Sequence, residues 1–187
     1  MNIRIRAARA IPYILLSLAV LTVAYPRLRA ADQQLPAIGS AAPSFTLNSQ
    51  EGTPVSLSDF HGKWVVLYFY PKDMTTGCTI EAHNFQRDLA QYEQRNVAIL
   101  GVSADSVDSH KQFCTKDSLT FKLLADPSHS VISLYGSLAA SGTMALRNTF
   151  LINPQGVIVK VYEKVNPTTH SEQVLADLAD LQKSAAK

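Results

Sequence analysis

Seven consecutive apolar or aromatic residues, Trp64 to Tyr70, form the strongest pattern in the chain, and Pro71 stops it. A run this short, rich in β-branched and aromatic side chains, predicts a strand buried on both faces. The period then changes. Over residues 78–95, Ala82, Phe85, Leu89 and Tyr92 recur at helical spacing among polar neighbours, so an amphipathic helix is predicted. Val97 to Val102 predicts a second buried strand and residues 106–118 a second helix. Asp126-Pro127 reads as a helix start, with a capping Asp and Pro in the first position, and Gly136 ends that helix. Thr149–Ile152 and Val157–Val159 predict strands joined by a type I turn at Asn153-Pro154-Gln155-Gly156. Thr169 and Glu172 have capping-box spacing ahead of a final apolar-periodic helix. Earlier, Phe45–Leu47 and Val55–Leu57 fit a small hairpin. Strand–helix–strand units followed by a hairpin predict an α/β fold: a mixed sheet, parallel at its centre, with helices on both faces.

The first 31 residues follow a different logic. Residues 1–10 hold three Arg, Ile11 to Ala24 runs 14 residues without a charge, and Arg29-Ala30-Ala31 precedes the first acid, Asp32. A positive start, a short apolar stretch and small residues at its end predict a secretory signal peptide over residues 1–31. Retained instead, the uncharged residues 10–26 would be a membrane tether at the low edge of spanning length. Either way, residues 32–187 form one domain outside the cytosol, periplasmic or tethered. The leader also accounts for the charge balance. The chain has 17 basic and 15 acidic residues, and five of the Arg lie in the leader, leaving 12 basic against 15 acidic. A nucleic-acid partner loses its electrostatic support. At 47% apolar and 17% charged the chain is no disordered segment, and two cysteines are too few for a disulfide scaffold or a four-thiolate zinc site.

The candidate chemistry sits where the long strand ends. Cys78 closes Pro71-Lys72-Asp73-Met74-Thr75-Thr76-Gly77-Cys78 and opens the amphipathic helix. Free N–H groups and the positive dipole end stabilise a thiolate there, which favours a nucleophile over an inert buried cysteine. His83 is a poor base for it, since five residues turn a helix by about 500° and point the two side chains apart. His61, His110, His129 and His170 are scattered without metal-ligand spacing, and no cofactor is expected. Lys72 and Asp73 read as solvated loop charges. A dithiol exchanger would need a second thiol three residues before Cys78, where Thr75 stands. What remains is one activated thiolate with a hydroxyl a turn away, suited to attack on an electrophilic oxygen or sulfur.

Pro71-x-x-x-Thr75-x-x-Cys78 matches the PxxxTxxC signature of peroxiredoxins, and YFYPKDMTTGCTIEA resembles their Q-type branch, also called bacterioferritin comigratory proteins. The similarity spans most of residues 37–182, through AIGSAAPSFTL, ILGVSADSVDSHKQF, LLADPSHSVISLYG and RNTFLINPQGVI. The resemblance implies a thioredoxin-like fold and a thiol peroxidase. Cys78 would reduce hydrogen peroxide and organic hydroperoxides through a sulfenic acid. The family's active-site arginine falls on Arg147, Thr75 would hydrogen-bond the peroxide, and Pro71 would shield the thiolate. Two departures stand out. The slot five residues after Cys78, a second cysteine in many members, is His83, and the segment 137–146 is shorter than usual. Other members place the resolving cysteine in the next helix, where Cys114 lies, which implies a Cys78–Cys114 disulfide recycled by a thioredoxin-like donor. Q-type relatives are often monomers, so a monomer is expected. The competing readings are an exported thiol–disulfide oxidoreductase, against which Thr75 in the CxxC slot argues, and a non-catalytic thioredoxin-like module.

Overall fold

The computed structural model describes residues 34–185. The expected leader or tether lies outside the described residues, and no helix among them is long and apolar enough to cross a membrane. The elements are β1 (Thr46–Ser49), β2 (Pro54–Ser56), a 3-10 turn (Leu57–Phe60), β3 (Trp64–Phe69), α1 (Thr76–Gln94), β4 (Val97–Ser103), α2 (Val107–Asp117), β5 (Lys122–Ala125), α3 (Ser130–Leu134), β6 (Thr149–Ile152), β7 (Ile158–Tyr162) and α4 (His170–Ala185). The seven strands form one sheet in the order β2-β1-β5-β4-β3-β6-β7. β3, β4 and β5 run parallel, and β6 lies antiparallel to β3.

Every residue of β3 is buried. Alternate side chains enter two separate cores, which is why the run is unbroken rather than alternating. Trp64, Val66, Tyr68 and Tyr70 pack with Ala82, Phe85 and Tyr92 of α1, Phe113 of α2, and Val174 and Leu178 of α4. Val65, Leu67 and Phe69 pack with Val131 and Ile132 of α3 and with Phe150 and Ile152 of β6. Helices therefore cover both faces, as the sequence order requires. β3 thus ends firmly fixed, and the loop that follows inherits its position.

Two predicted helix starts differ in detail. α3 begins at Ser130 rather than at Asp126-Pro127. The chain first makes a turn, with His129 in the left-handed region at φ 58°. Asp126 still caps, because its carboxylate accepts the N–H groups of Ser130, Val131 and Ile132 at 2.8–3.1 Å. The expected Thr169–Glu172 box is not made. α1 lies alongside α4 and offers Glu172 a charged partner instead, Arg87 Nη2 at 3.1 Å.

Gly101 in β4 stands opposite Tyr68. A Cβ there would lie 2.7 Å from the Tyr68 ring and hydroxyl and from Leu123. Only glycine leaves room for the Tyr68 phenol here. Gly101→Ala should therefore destabilise the fold by about 1–3 kcal/mol through overpacking. A thermal melt with unchanged Tm would show that Tyr68 yields freely.

Candidate active site

Thr75 has extended dihedrals and is the N-cap of α1, which places Cys78 in the first helical turn. The Thr75 hydroxyl does not cap. It donates to the Lys72 carbonyl at 2.9 Å, so its lone pairs remain free to accept a hydrogen bond. Thr75 is exposed, Pro71 half-buried, and Cys78 only 2% exposed. The thiol thus lies at the base of a loop whose outer lip is polar.

The loop is held from beneath by Asp73. The expectation that Asp73 is a solvated charge is incorrect: it is 4% exposed. Its carboxylate accepts Tyr70 Oη and Ser109 Oγ, both at 2.7 Å, and meets His110 Nδ1 at 2.8 Å. Its backbone N–H donates to Asp105 Oδ2 at 2.9 Å. A carboxylate buried this deeply persists only with such a full complement of partners. Met74, next along, is left in the left-handed region at φ 56°. The network therefore ties the Cys78 loop to the first turn of α2.

Arg147 arrives from the other side, just before β6, its backbone carbonyl accepting Val165 N–H at 3.1 Å. Nη2 lies 3.4 Å from Cys78 Sγ, and Nη1 donates to Glu81 Oε2. Burial opposes the arginine's charge, but Glu81 and Cys78 outweigh it and raise the Arg147 pKa. Gly77 makes the approach possible, since a Cβ there would stand 3.2 Å from Arg147 Nη2. Glu81 is 1% exposed, and burial, opposed by Arg147, pushes its carboxyl up to about 7. One guanidinium thus bridges the thiol and a buried carboxyl one turn further along the same helix, fixing its planar fork.

Arg147 meets Cys78, and Thr75 stands one turn before Cys78 at the cap of the same helix, but Cys78 and Cys114 are both free. Cys114 lies in the last turn of α2, 8% exposed, beside a surface recess of about 400 Å3. Burial pushes its thiol up to about 12, so it is protonated at neutral pH. His83 faces outward from α1 and meets Asp117 Oδ1 at 2.9 Å, away from Cys78. His170 is fully buried on Thr149, and burial, aided by Arg147, pulls its pKa down to about 4. The sequence reading gives no role to Glu81 or Gly77, and Asp73 enters it only as a loop charge. Glu81 carried a usable signal: with Cys78, Ala82 and Phe85 it falls on the apolar stripe of α1, where a carboxyl requires a partner.

Residues 38–161 match the AhpC/TSA family. Peroxiredoxin Q of Sedum lineare chloroplasts is 41% identical over 145 residues, covering 76% of this chain and 78% of that protein. A mutant of Xylella fastidiosa PrxQ superposes with a TM-score of 0.75 at 35% identity, over 82% of this chain and 99% of that one. The Xanthomonas campestris bacterioferritin comigratory protein, solved in trapped intermediate and ligand complexes bearing on alkyl peroxide reduction, gives 0.70 at 35% identity, over 76% and 92%. Xanthomonas campestris peroxiredoxin Q has also been solved with either of two cysteines, 36 positions apart, replaced by serine.

The raised Glu81 pKa fixes a direction for stability. The folded state keeps this proton up to about pH 7, whereas the unfolded chain releases it near the ordinary carboxyl value of 4.5. Between those values the folded state binds more protons, so this contribution is full at acid pH and is lost as pH rises through 7. Glu81→Gln keeps an acceptor for Arg147 and removes the titration. Denaturant unfolding at pH 5 and pH 8 should show the wild type losing up to about 3 kcal/mol relative to Glu81→Gln. A pH-independent difference would mean that Glu81 stays ionised throughout.

Proposed function

The chain belongs to the AhpC/TSA family, as a peroxiredoxin of the Bcp/Q branch, and on that premise we propose that Cys78 reduces hydroperoxides and is resolved by Cys114. The observation that carries the reading is Arg147 Nη2 at 3.4 Å from Cys78 Sγ, at a helix N-terminus. The alkyl peroxide chemistry bearing on the Xanthomonas campestris protein supports organic hydroperoxides, beside hydrogen peroxide, as substrates.

In the first step the Cys78 thiolate attacks the distal peroxide oxygen. The S–O bond forms, the O–O bond breaks, and the alkoxide leaves as ROH after taking a proton. Arg147 holds negative charge on sulfur and, as it shifts, on the departing oxygen. Preorganised donors of this kind contribute about 3–4 kcal/mol each. The Thr75 hydroxyl has spent its proton on Lys72, so it accepts the peroxide O–H and orients the substrate. Pro71 contributes no N–H that would draw water to the thiolate.

In the second step Cys114 attacks the Cys78 sulfenic sulfur. The S–S bond forms, the S–O bond breaks, and the hydroxyl leaves as water with the Cys114 proton. Cys78 and Cys114 are 36 positions apart, the same separation as the two cysteines replaced in Xanthomonas campestris peroxiredoxin Q. A thioredoxin-like dithiol then reduces the bond. The Arg-flanked apolar leader supports work outside the cytosol and hence an exported reductant.

Cys78→Ser should abolish peroxide turnover, and Cys114→Ser should accumulate sulfenic and sulfinic Cys78. Non-reducing peptide mapping after one equivalent of peroxide should yield a Cys78–Cys114 peptide. A Cys114 that remains alkylatable would make this a one-cysteine enzyme. For the location, residues 1–40 fused to a reporter active only after export should give signal, and a silent fusion would refute export.

A further inference from the structure

α2 carries Cys114 and is held at both ends by different kinds of contact. At its first turn, Ser109 and His110 are bound into the buried Asp73 network. At its last turn, Asp117 Oδ1 meets His83 Nε2 of α1 at 2.9 Å. His110, Cys114 and Asp117 are spaced i, i+4 and i+7, so they share one face of α2. Cys114 is therefore bracketed by two histidine–aspartate contacts.

The two contacts differ in exposure. The His110 and Asp73 side chains are 0% and 1% exposed, and breaking that contact leaves polar groups stranded in the core. His83 is 51% exposed and Asp117 11% exposed, so water readily competes for the outer contact. Yet His83 is the only protein group bonded to the Asp117 carboxylate among the described residues, and Asp117 Oδ2 is buried without a protein partner. Beyond Asp117 the chain turns through Ser118 at φ 54°, and the Ser118 and Leu119 N–H groups both close on the Cys114 carbonyl. Freeing Cys114 means opening this last turn, and Asp117 opens with it.

We propose that His83 is a latch on the resolving helix: its bond to Asp117 holds the last turn of α2 closed and sets how fast Cys114 captures a Cys78 sulfenic acid. The inference rests on Cys114 being the resolving residue. With the latch open, the Cys114 sulfur attacks the Cys78 sulfur, giving the disulfide and water. With it closed, the sulfenic acid waits and a second ROOH oxidises it to sulfinic acid, releasing ROH. The latch thus sets the division between recycling and irreversible loss, while the buried Asp73–His110 end keeps the first turn of α2 in place as the hinge. His83 is a positioning residue. It stands on the outer side of α1 and touches neither thiol.

The bond exists in the dithiol form and is released for the disulfide, so removing it favours the disulfide. In the full-length protein, His83→Ala should speed disulfide formation and raise the peroxide dose for half-maximal sulfinic acid, each by about threefold, the scale of an exposed pair. The disulfide–dithiol equilibrium against glutathione should move toward disulfide by the same factor. The rate of Cys78 oxidation should not change. His83→Lys again places a hydrogen-bond donor opposite Asp117 and should return all three quantities toward wild type. Lys183→Ala removes an exposed pair on α4, with Asp180, and should alter none of them. If the wild type forms the disulfide and His83→Ala leaves the sulfinic-to-disulfide ratio and the equilibrium unchanged, the latch is wrong. If the wild type forms no Cys78–Cys114 bond, the resolving role itself fails and the latch falls with it.

Discussion

The guanidinium of Arg147 cross-links two segments that the β3–β6 pairing sets side by side. It reaches from two residues before β6 to the first turn of α1 and lies between the Cys78 thiol and the Glu81 carboxyl. In a buried site its charge interacts far more strongly than it would in water, and an unpaired partner there would be costly. Thiol, carboxyl and guanidinium therefore fix one another's positions. Gly77 is small because Nη2 passes over it, and Glu81 is tolerated in an apolar stripe because Arg147 meets it.

That arrangement needs a rigid base, and β3 supplies it. With both faces buried in separate cores, the strand cannot slip in register without reversing every side chain. Its end delivers Tyr70 and, three residues on, Asp73, whose carboxylate joins the Cys78 loop to α2. The loop is strained at Met74, and the Asp73 contacts before it and the Thr75–Lys72 hydrogen bond across it hold it in place. The Cys78 side of the site is thus rigid. The second cysteine sits in the last turn of a helix, secured by an exposed pair and by local turn bonds. The Cys78 loop and the Cys114 turn are thus held by contacts of opposite kinds, buried and fully partnered at one, exposed and local at the other.

The sequence by itself determined the architecture and where the candidate thiol stands in it. The unbroken apolar runs and the period-3.6 pattern place β3, α1, β4, α2, β6 and α4 within a few residues of where they lie, since burial on two faces or one leaves a direct mark on residue type. Cys78 was legible because its helix start follows the strand end immediately, and Thr75 and Arg147 because PxxxTxxC and its flanking blocks are specific. The tertiary structure alone decided the rest. Asp73 reads as a loop charge until Tyr70, Ser109 and His110 are seen to converge on it from 3 and 36–37 positions away. Glu172 has capping-box spacing, but α1 brings Arg87 to it from 85 positions away. Glu81 and His83 lie two residues apart on one helix, yet one faces the core and the other solvent, and their partners Arg147 and Asp117 come from elsewhere in the chain. Periodicity records whether a side chain is buried, because burial depends on the local element. Which charge it meets there depends on contacts between distant segments, and a short sequence window carries no trace of those.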